Sequence, residues 1–326
     1  MDGITATAPA VFDPFHYSVD LGLRSTLFPL GFEFGFQTNS AAVLGAAHAA
    51  WDTYPRLFAV KPFEVRIAVD TDDPAPCPAG FLFHGQKHLL SLTSDASNFA
   101  VCDLRDRFAF CWISAATAAN TDWFRFYYLD TIINMMLWHS HLTRVHASCV
   151  ARDGRGVLLT GPSGAGKSCL AFACARSGWT FISDEASSLL RGADHPVVLG
   201  KPHQFHFRET ALKLLPELAG RQAVPTVPGK LTIELRTSEI PRIRTGYQCD
   251  TVALVFLNRH AGGPARLVPF SKAKARELLE QDLPLFQQPA HDEHTASLRN
   301  LVETGVYELR YGDLEGAVTE LESLVI

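Results

Sequence analysis

The seven cysteines of this chain, at positions 77, 102, 111, 149, 169, 174 and 249, form no Cys-x-x-Cys pair. An odd number without that spacing argues against a disulfide framework and a thiolate zinc site, and it predicts reduced thiols in a cytoplasmic setting. Basic charge is scarce as well. Lys plus Arg number 29 against 34 Asp plus Glu, a formal net charge of -5. The basic stripe that neutralises nucleic-acid phosphates is therefore missing, and no nucleic-acid partner is expected. The acidic excess is N-terminal: residues 1–145 hold 9 basic against 14 acidic side chains, and the remainder is balanced at 20 each. Met1-Asp2-Gly3 lacks the basic and apolar regions of a secretory leader, so none is expected. No apolar run reaches the ~18–20 residues that cross a bilayer. In the most apolar segment, 122–142, Asp122, Arg125, Asp130, Asn134, His139 and His141 interrupt the run, and no membrane partner is expected.

What is present is the composition of a globular chain. With 47% hydrophobic and 19% charged residues over 326 positions, it is long enough to bury about 75% of its unfolded surface and to form two domains. In the apolar segment, Phe126, Leu129, Ile133, Met136 and Leu137 recur at three and four residues, the period of one buried helical face. Upstream, the alternation Phe63, Val65, Ile67, Val69 predicts a strand, and the proline-rich stretch 70–80 predicts a loop. Phe81 with Phe83, Leu90 with Leu92, and Phe108 with Phe110 predict further strands of a small antiparallel sheet. With an Ala-rich helix within 38–54, residues 1–120 read as a smaller α+β N-terminal domain, with substrate recognition as its candidate role.

Residues 121–326 read as the catalytic domain, in a different grammar from residue 146 onward. GVLLT at 156–160 predicts a short buried strand, 168–177 a helix, and 179–183 the next strand, a βαβ-like beginning. TVALVFL at 251–257, a surface helix at 272–279, a strand at 306–311 and a helix at 314–324 complete the pattern.

Between the first strand and its helix lies Gly161-Pro162-Ser163-Gly164-Ala165-Gly166-Lys167-Ser168, a full match to G-x-x-x-x-G-K-[ST]. Glycines let backbone N–H groups curl round phosphates, the helix N-terminus adds positive field, Lys167 reaches the β and γ phosphates, and Ser168 can ligate Mg²⁺. Such a site needs an acid at the end of a neighbouring strand, and Asp184 and Glu185 stand 17 and 18 residues after Lys167 at that place. On an extended backbone the two acids would point to opposite sides. His139, His141 and His146 have no partner cysteine and predict no zinc site. Arg208 and Lys230 are candidates for touching a phosphate, with solvated surface charge as the fate expected of both.

His146-Ala147-Ser148, the strand, GPSGAGKS, the helix ending at Gly178, and Phe181-Ile182-Ser183-Asp184-Glu185 together resemble the catalytic domain of HPr kinase/phosphorylase and the HPr-kinase-related proteins. The resemblance is firm over residues 140–192 and continues more weakly through 202–218 and 307–313. It implies an α/β P-loop kinase domain of the HPr kinase and phosphoenolpyruvate-carboxykinase-like type, and ATP-dependent phosphorylation of a hydroxyl, typically that of Ser. The implied nucleotide contacts are Gly161, Pro162, Ser163, Gly164, Ala165, Gly166, Lys167, Ser168 and the adjoining Cys169. Asp184 is implied as the base, Lys167 and His146 as catalytic neighbours of the transferred phosphoryl group, and Ser168, Asp184 and Glu185 as Mg²⁺ ligands. The expected cofactors are ATP and Mg²⁺; the acceptor is a protein, peptide or small-molecule hydroxyl, and the assembly a homo-oligomer. The chain has Asp-Glu where those kinases carry two aspartates and lacks the Gly-containing segment that follows in them, so HPr is not carried over as acceptor. A P-loop ATPase or nucleotide sensor with Arg242 or Arg244 as finger, a small-acid carboxykinase, and a nucleotide-binding scaffold are the competing readings.

Overall fold

The computed structural model of the chain describes residues 19–260, 263–284 and 288–326. The chain begins with β1 (Leu23–Leu27), β2 (Phe34–Thr38), α1 (Ala41–Trp51), β3 (Phe63–Asp70), β4 (Leu82–Gln86), β5 (Leu89–Asp95), β6 (Asn98–Asp103) and β7 (Phe108–Ser114). These strands form one seven-stranded sheet in the order β1-β2-β3-β7-β6-β5-β4. Pairings β2–β3 and β3–β7 are parallel and the rest antiparallel, so the sheet is mixed rather than antiparallel. Period-2 alternation reports which residues share a face and is silent on a neighbour's direction. Here α1 supplies the crossover that turns β3 parallel to β2.

The predicted apolar helix is divided. After α2 (Ala115–Ala119) and α3 (Thr121–Phe124), a π turn at Arg125–Leu129 leads into α4 (Asp130–Ser140). The Asp130 N–H donates to the Arg125 carbonyl five residues back, which inserts one residue into the helical ladder. The inserted residue changes the buried face: Phe126 is 43% exposed, while Ile132 joins Leu129, Ile133, Met136 and Leu137 inside. Apart from Leu199, the first core cluster runs in sequence from Leu27 to Leu142, so residues 121–142 pack with the N-terminal sheet.

The second half comprises β8 (Leu142–Val145), β9 (Ala147–Arg152), β10 (Arg155–Thr160), α5 (Lys167–Arg176), β11 (Thr180–Ser183), β12 (Ser187–Leu190) and β13 (Val197–Leu199). It continues through β14 (Gln204–Phe207), β15 (Val224–Pro225), β16 (Leu231–Arg236), β17 (Arg244–Thr245) and β18 (Gln248–Arg259). The chain closes with β19 (Arg266–Pro269), α6 (Lys272–Gln281), α7 (Ala290–Glu303), β20 (Gly305–Tyr311) and α8 (Leu314–Glu322). A ten-stranded sheet runs β17-β11-β9-β10-β18-β13-β12-β8, with β20 also paired to β18 and β19 to β20. β10 and β11 point the same way, but β9 lies between them and pairs antiparallel with both, so the connection through α5 steps over one strand.

Alternation along the central strands assigns the two faces. Val150, Val157 and Leu159 join α5 and α8 in one cluster, whereas Cys149, Ala151 and Leu158 join α6 and α7 in another. A small sheet, β14-β16-β15, lies over α5, where Phe205 and Phe207 pack edge-on to Phe172 at 5.3 and 5.6 Å. The halves touch directly: the Tyr247 hydroxyl donates to the Thr53 carbonyl at 2.6 Å, and Leu199 belongs to the N-terminal core. Among the described residues, no helix is long and apolar enough to cross a membrane.

Candidate active site

The glycine-rich loop leaves the end of β10 and enters α5. Gly161, Gly164 and Gly166 have φ of +148°, +89° and +99°, backbone that a side chain would strain. Gly166 also has no room, since a Cβ there would stand 2.5 Å from the Tyr311 hydroxyl. That hydroxyl donates to the Ala165 carbonyl at 2.9 Å, so β20 holds the loop from behind. The Lys167 ammonium folds back to donate to the Gly161 carbonyl at 2.7 Å and to the Pro162 carbonyl at 3.4 Å. The first-turn N–H groups of α5 lack intrahelical acceptors and face the same side as the loop, which suits an anion.

Asp184, at the end of β11, is the hub. Its Oδ1 accepts from the Ser168 hydroxyl at 2.8 Å, the Ser148 hydroxyl at 2.9 Å and the Glu185 N–H at 3.0 Å. Its Oδ2 accepts from the His206 N–H at 2.8 Å. The side chain is only 1% exposed. Burial pushes its carboxyl above the usual carboxylate range, against the opposing pull of these hydrogen bonds. Phe205 and Phe207 point into the core on either side of His206, and this alternation presents the His206 N–H to the carboxylate.

Glu185 does not continue the strand. Its φ of +60° and a 2.7 Å bond from the Ala186 N–H to the Asp184 carbonyl make a tight turn. The two acids diverge all the same, and they border different spaces. Glu185 lines a cleft of about 170 Å³ with His146, Lys167, Ser168 and Cys169, whereas Asp184 lines a separate cavity of about 620 Å³ facing the N-terminal half. His206 borders both.

Charge in the cleft is mutually adjusted. Burial lowers the Lys167 ammonium, with Glu185 and Asp184 pulling the other way. Burial raises Glu185, but the hydrogen bond and charge of Lys230, with His206 and His146, hold it below its ordinary value. His146 is lowered by burial and then by Lys167, which favours the neutral imidazole. Burial pushes the Cys169 thiol up to about 11, so it stays protonated and unreactive.

Of the expected nucleotide contacts, Ser163, Gly164, Gly166, Lys167, Ser168 and Cys169 line the cleft. Gly161, Pro162 and Ala165 instead shape the loop through their backbone. Arg208 and Lys230, expected as surface charge, stand at the cleft wall: Arg208 donates to the Ser163 hydroxyl at 2.6 Å and Lys230 pairs with Glu185 at 2.7 Å. Sequence reading missed Ser148, His206, Arg259 and Tyr311 as parts of the site. Ser148 carried a local signal in the His-Ala-Ser triplet before the loop, and His206 and Tyr311 fell within the weaker resemblance at 202–218 and 307–313 without being singled out.

The donors suit Mg²⁺, which takes hard oxygen ligands and prefers one or two protein groups plus phosphate oxygens. The Ser168 hydroxyl and the Asp184 carboxylate bonded to it supply such oxygens beside the loop, and the Glu185 carboxylate, paired with Lys230, lines the cleft. Among the described residues, no group of three or more His, Cys, Asp or Glu side chains could by itself hold a metal ion.

No family model matches the chain, and no curated protein matches it. Among solved structures it is similar to the HPr(Ser) kinase/phosphatase from Coxiella burnetii, at 12% identity and a TM-score of 0.29. That comparison covers 56% of this chain and 95% of the other. At such a score the likeness adds nothing to what the geometry of the site supports.

Proposed function

We propose that the chain is an ATP-dependent phosphotransferase that phosphorylates a hydroxyl with the assistance of Mg²⁺. One observation carries the reading: a buried carboxylate, Asp184, is tied to the Ser168 hydroxyl of a phosphate-binding loop and forms the wall of a second cavity on its far side. A phosphoryl donor in the cleft and an acceptor in the cavity would meet at that carboxylate.

In this reading the loop amides and Lys167 hold the β and γ phosphates, and the ammonium exchanges its bonds to the Gly161 and Pro162 carbonyls for phosphate oxygens. Ser168, with Asp184 and Glu185, would hold Mg²⁺, which would supply charge neutralisation to the phosphates. Asp184, tied to Ser168 and facing the second cavity, accepts the proton of the acceptor hydroxyl. Neutral His146 and the cations Arg208, Lys230 and Arg259 surround the place where charge develops. Arg244 pairs with Thr180 at the opposite end of β11 from Asp184, which disfavours it as a finger for a sensor ATPase.

The test is intact mass of candidate acceptors after incubation with the protein, ATP and Mg²⁺. A gain of one phosphate is expected with wild type, and a loss of 10²–10⁴-fold in rate with Asp184→Asn, whose nucleotide affinity should persist. Lys167→Ala should lose both binding and transfer. An Asp184→Asn protein that transfers at the wild-type rate overturns the role of the base.

A further inference from the structure

The 620 Å³ cavity beyond Asp184 lies within the range of small-molecule sites. Its walls come from both halves of the chain: residues 48–53 at the end of α1, Arg125 and Asp130 at the π turn, and Lys201, His203, His206 and Arg236 around the small sheet. The π turn explains the contribution of α4. Its hydrogen bond, from the Asp130 N–H to the Arg125 carbonyl, sets these residues one wide turn apart, on the same side. Such turns recur at functional sites because they re-aim side chains.

The cavity walls carry three cations, Arg125, Lys201 and Arg236, against three acids, Asp52, Asp130 and Asp184, but the pairing among them is uneven. His48 pairs with Asp52 at 2.6 Å and Lys201 with Asp130 at 3.7 Å. Among the described residues, Arg125 and Arg236 are in no ion pair within 4 Å; both border the cavity with Asp184, and the charge of Arg236 also reaches Glu239 outside it. Three buried nitrogens of lining side chains lack a hydrogen-bond partner: Arg125 Nε, His203 Nε2 and His206 Nδ1. The guanidinium Nε–H is a donor at every accessible pH, so an unmet Nε calls for an acceptor atom. Burial, then Lys201 and Arg125, depress His203, in keeping with a positive potential there.

Resting on the phosphotransferase reading, we propose that this cavity is the acceptor site and that the acceptor is a compact hydroxyl compound bearing a carboxylate or phosphate. Its anionic group meets Arg125 and Arg236, and its hydroxyl reaches Asp184. In the transfer, the acceptor oxygen forms a bond to the γ phosphorus, the bond from that phosphorus to the β–γ bridging oxygen breaks, Asp184 takes the hydroxyl proton and ADP leaves.

The experiment fills the loop with a non-hydrolysable ATP analogue and Mg²⁺, then measures equilibrium binding of labelled glycerol 3-phosphate, glycerate and glycerol. Saturable binding of an anionic probe is expected, with glycerol at least tenfold weaker. The two anions distinguish phosphate from carboxylate. Arg125→Gln should weaken the anion at least tenfold and Arg125→Lys less, with the nucleotide titration serving as the check on folding. Anions that bind no better than glycerol, or an Arg125→Gln protein that binds them as wild type does, overturn the proposal. Separately, with ATP in place of the analogue, an anion that binds but is never phosphorylated leaves the cavity standing as an anion site and removes the phosphotransferase reading and with it the acceptor role. Phosphorylation of other acceptors without anion binding does the reverse.

Discussion

The loop depends on two residues far apart in sequence, Gly166 and Tyr311. The glycine needs its positive φ and has no space for a methyl group, because the Tyr311 hydroxyl would stand 2.5 Å from it. Gly166→Ala therefore forces either the backbone or the tyrosine to move, and either change disturbs the amides that would cradle phosphate. We expect nucleotide affinity to fall at least tenfold, read by titration of a fluorescent ATP analogue. Tyr311→Phe keeps the ring in the core and removes only the bond to the Ala165 carbonyl, worth about 0.5–1.5 kcal/mol. Its affinity should fall by less than that of Gly166→Ala; an unchanged value for both would mean that β20 does not support the loop.

At the scale of elements, the position of Asp184 depends on how closely β11 is approached by the residue that follows β13. A Cβ at Gly200 would lie 2.1 Å from the Ile182 carbonyl oxygen and 2.7 Å from the Ser183 Cβ, atoms just ahead of Asp184. Gly200→Ala should cost about 1–3 kcal/mol through overpacking. It should also reduce phosphoryl transfer more than nucleotide affinity, because the displaced segment carries the carboxylate and not the loop. Urea midpoints and separate measurements of binding and transfer check both parts; equal loss of the two would place the disturbance in the loop instead. This dependence also explains which parts of the site were legible. The loop and its helix are contiguous, so glycine spacing and the 3.6-residue period announced them. Asp184 and Glu185 were found because they follow a strand, although a left-handed turn at Glu185 separates them rather than an extended backbone. Ser148, His206, Arg208, Lys230 and Tyr311 arrive from β9, β14 and its following loop, the turn before β16, and β20. Their meeting is a matter of sheet order, which residue patterning does not encode. The mixed direction of the first sheet and the π turn were hidden for the same reason: alternation and periodicity specify faces, not partners or an inserted residue.

For the molecule as a whole, the junction of the halves carries neutral histidines on either side of β8. His141, just before β8, stacks on Phe32 with ring centroids 5.0 Å apart, and His294 of α7 bonds the Thr143 hydroxyl of β8 at 3.0 Å. Burial, then Arg107 and Arg191, lowers His141 to about 4; burial, then Arg191, His291 and His139, lowers His294 to about 3. An imidazole in the unfolded chain has a pKa of about 6.5. Above that pH both states are neutral and neither group biases folding. As pH falls, the unfolded chain takes up protons first, so stability declines from about pH 6.5 until the folded values near 4 and 3 are reached. At roughly 1.4 kcal/mol per pH unit for each group, the loss between neutrality and about pH 4.5 amounts to about 2–3 kcal/mol from His294 alone. His294→Gln, which keeps a polar partner for Thr143 and does not titrate, should reduce the acid-induced drop in urea midpoint by a corresponding amount while lowering stability near neutrality. If His294→Gln loses as much stability on acidification as the wild type does, the acid sensitivity of the protein does not come from His294.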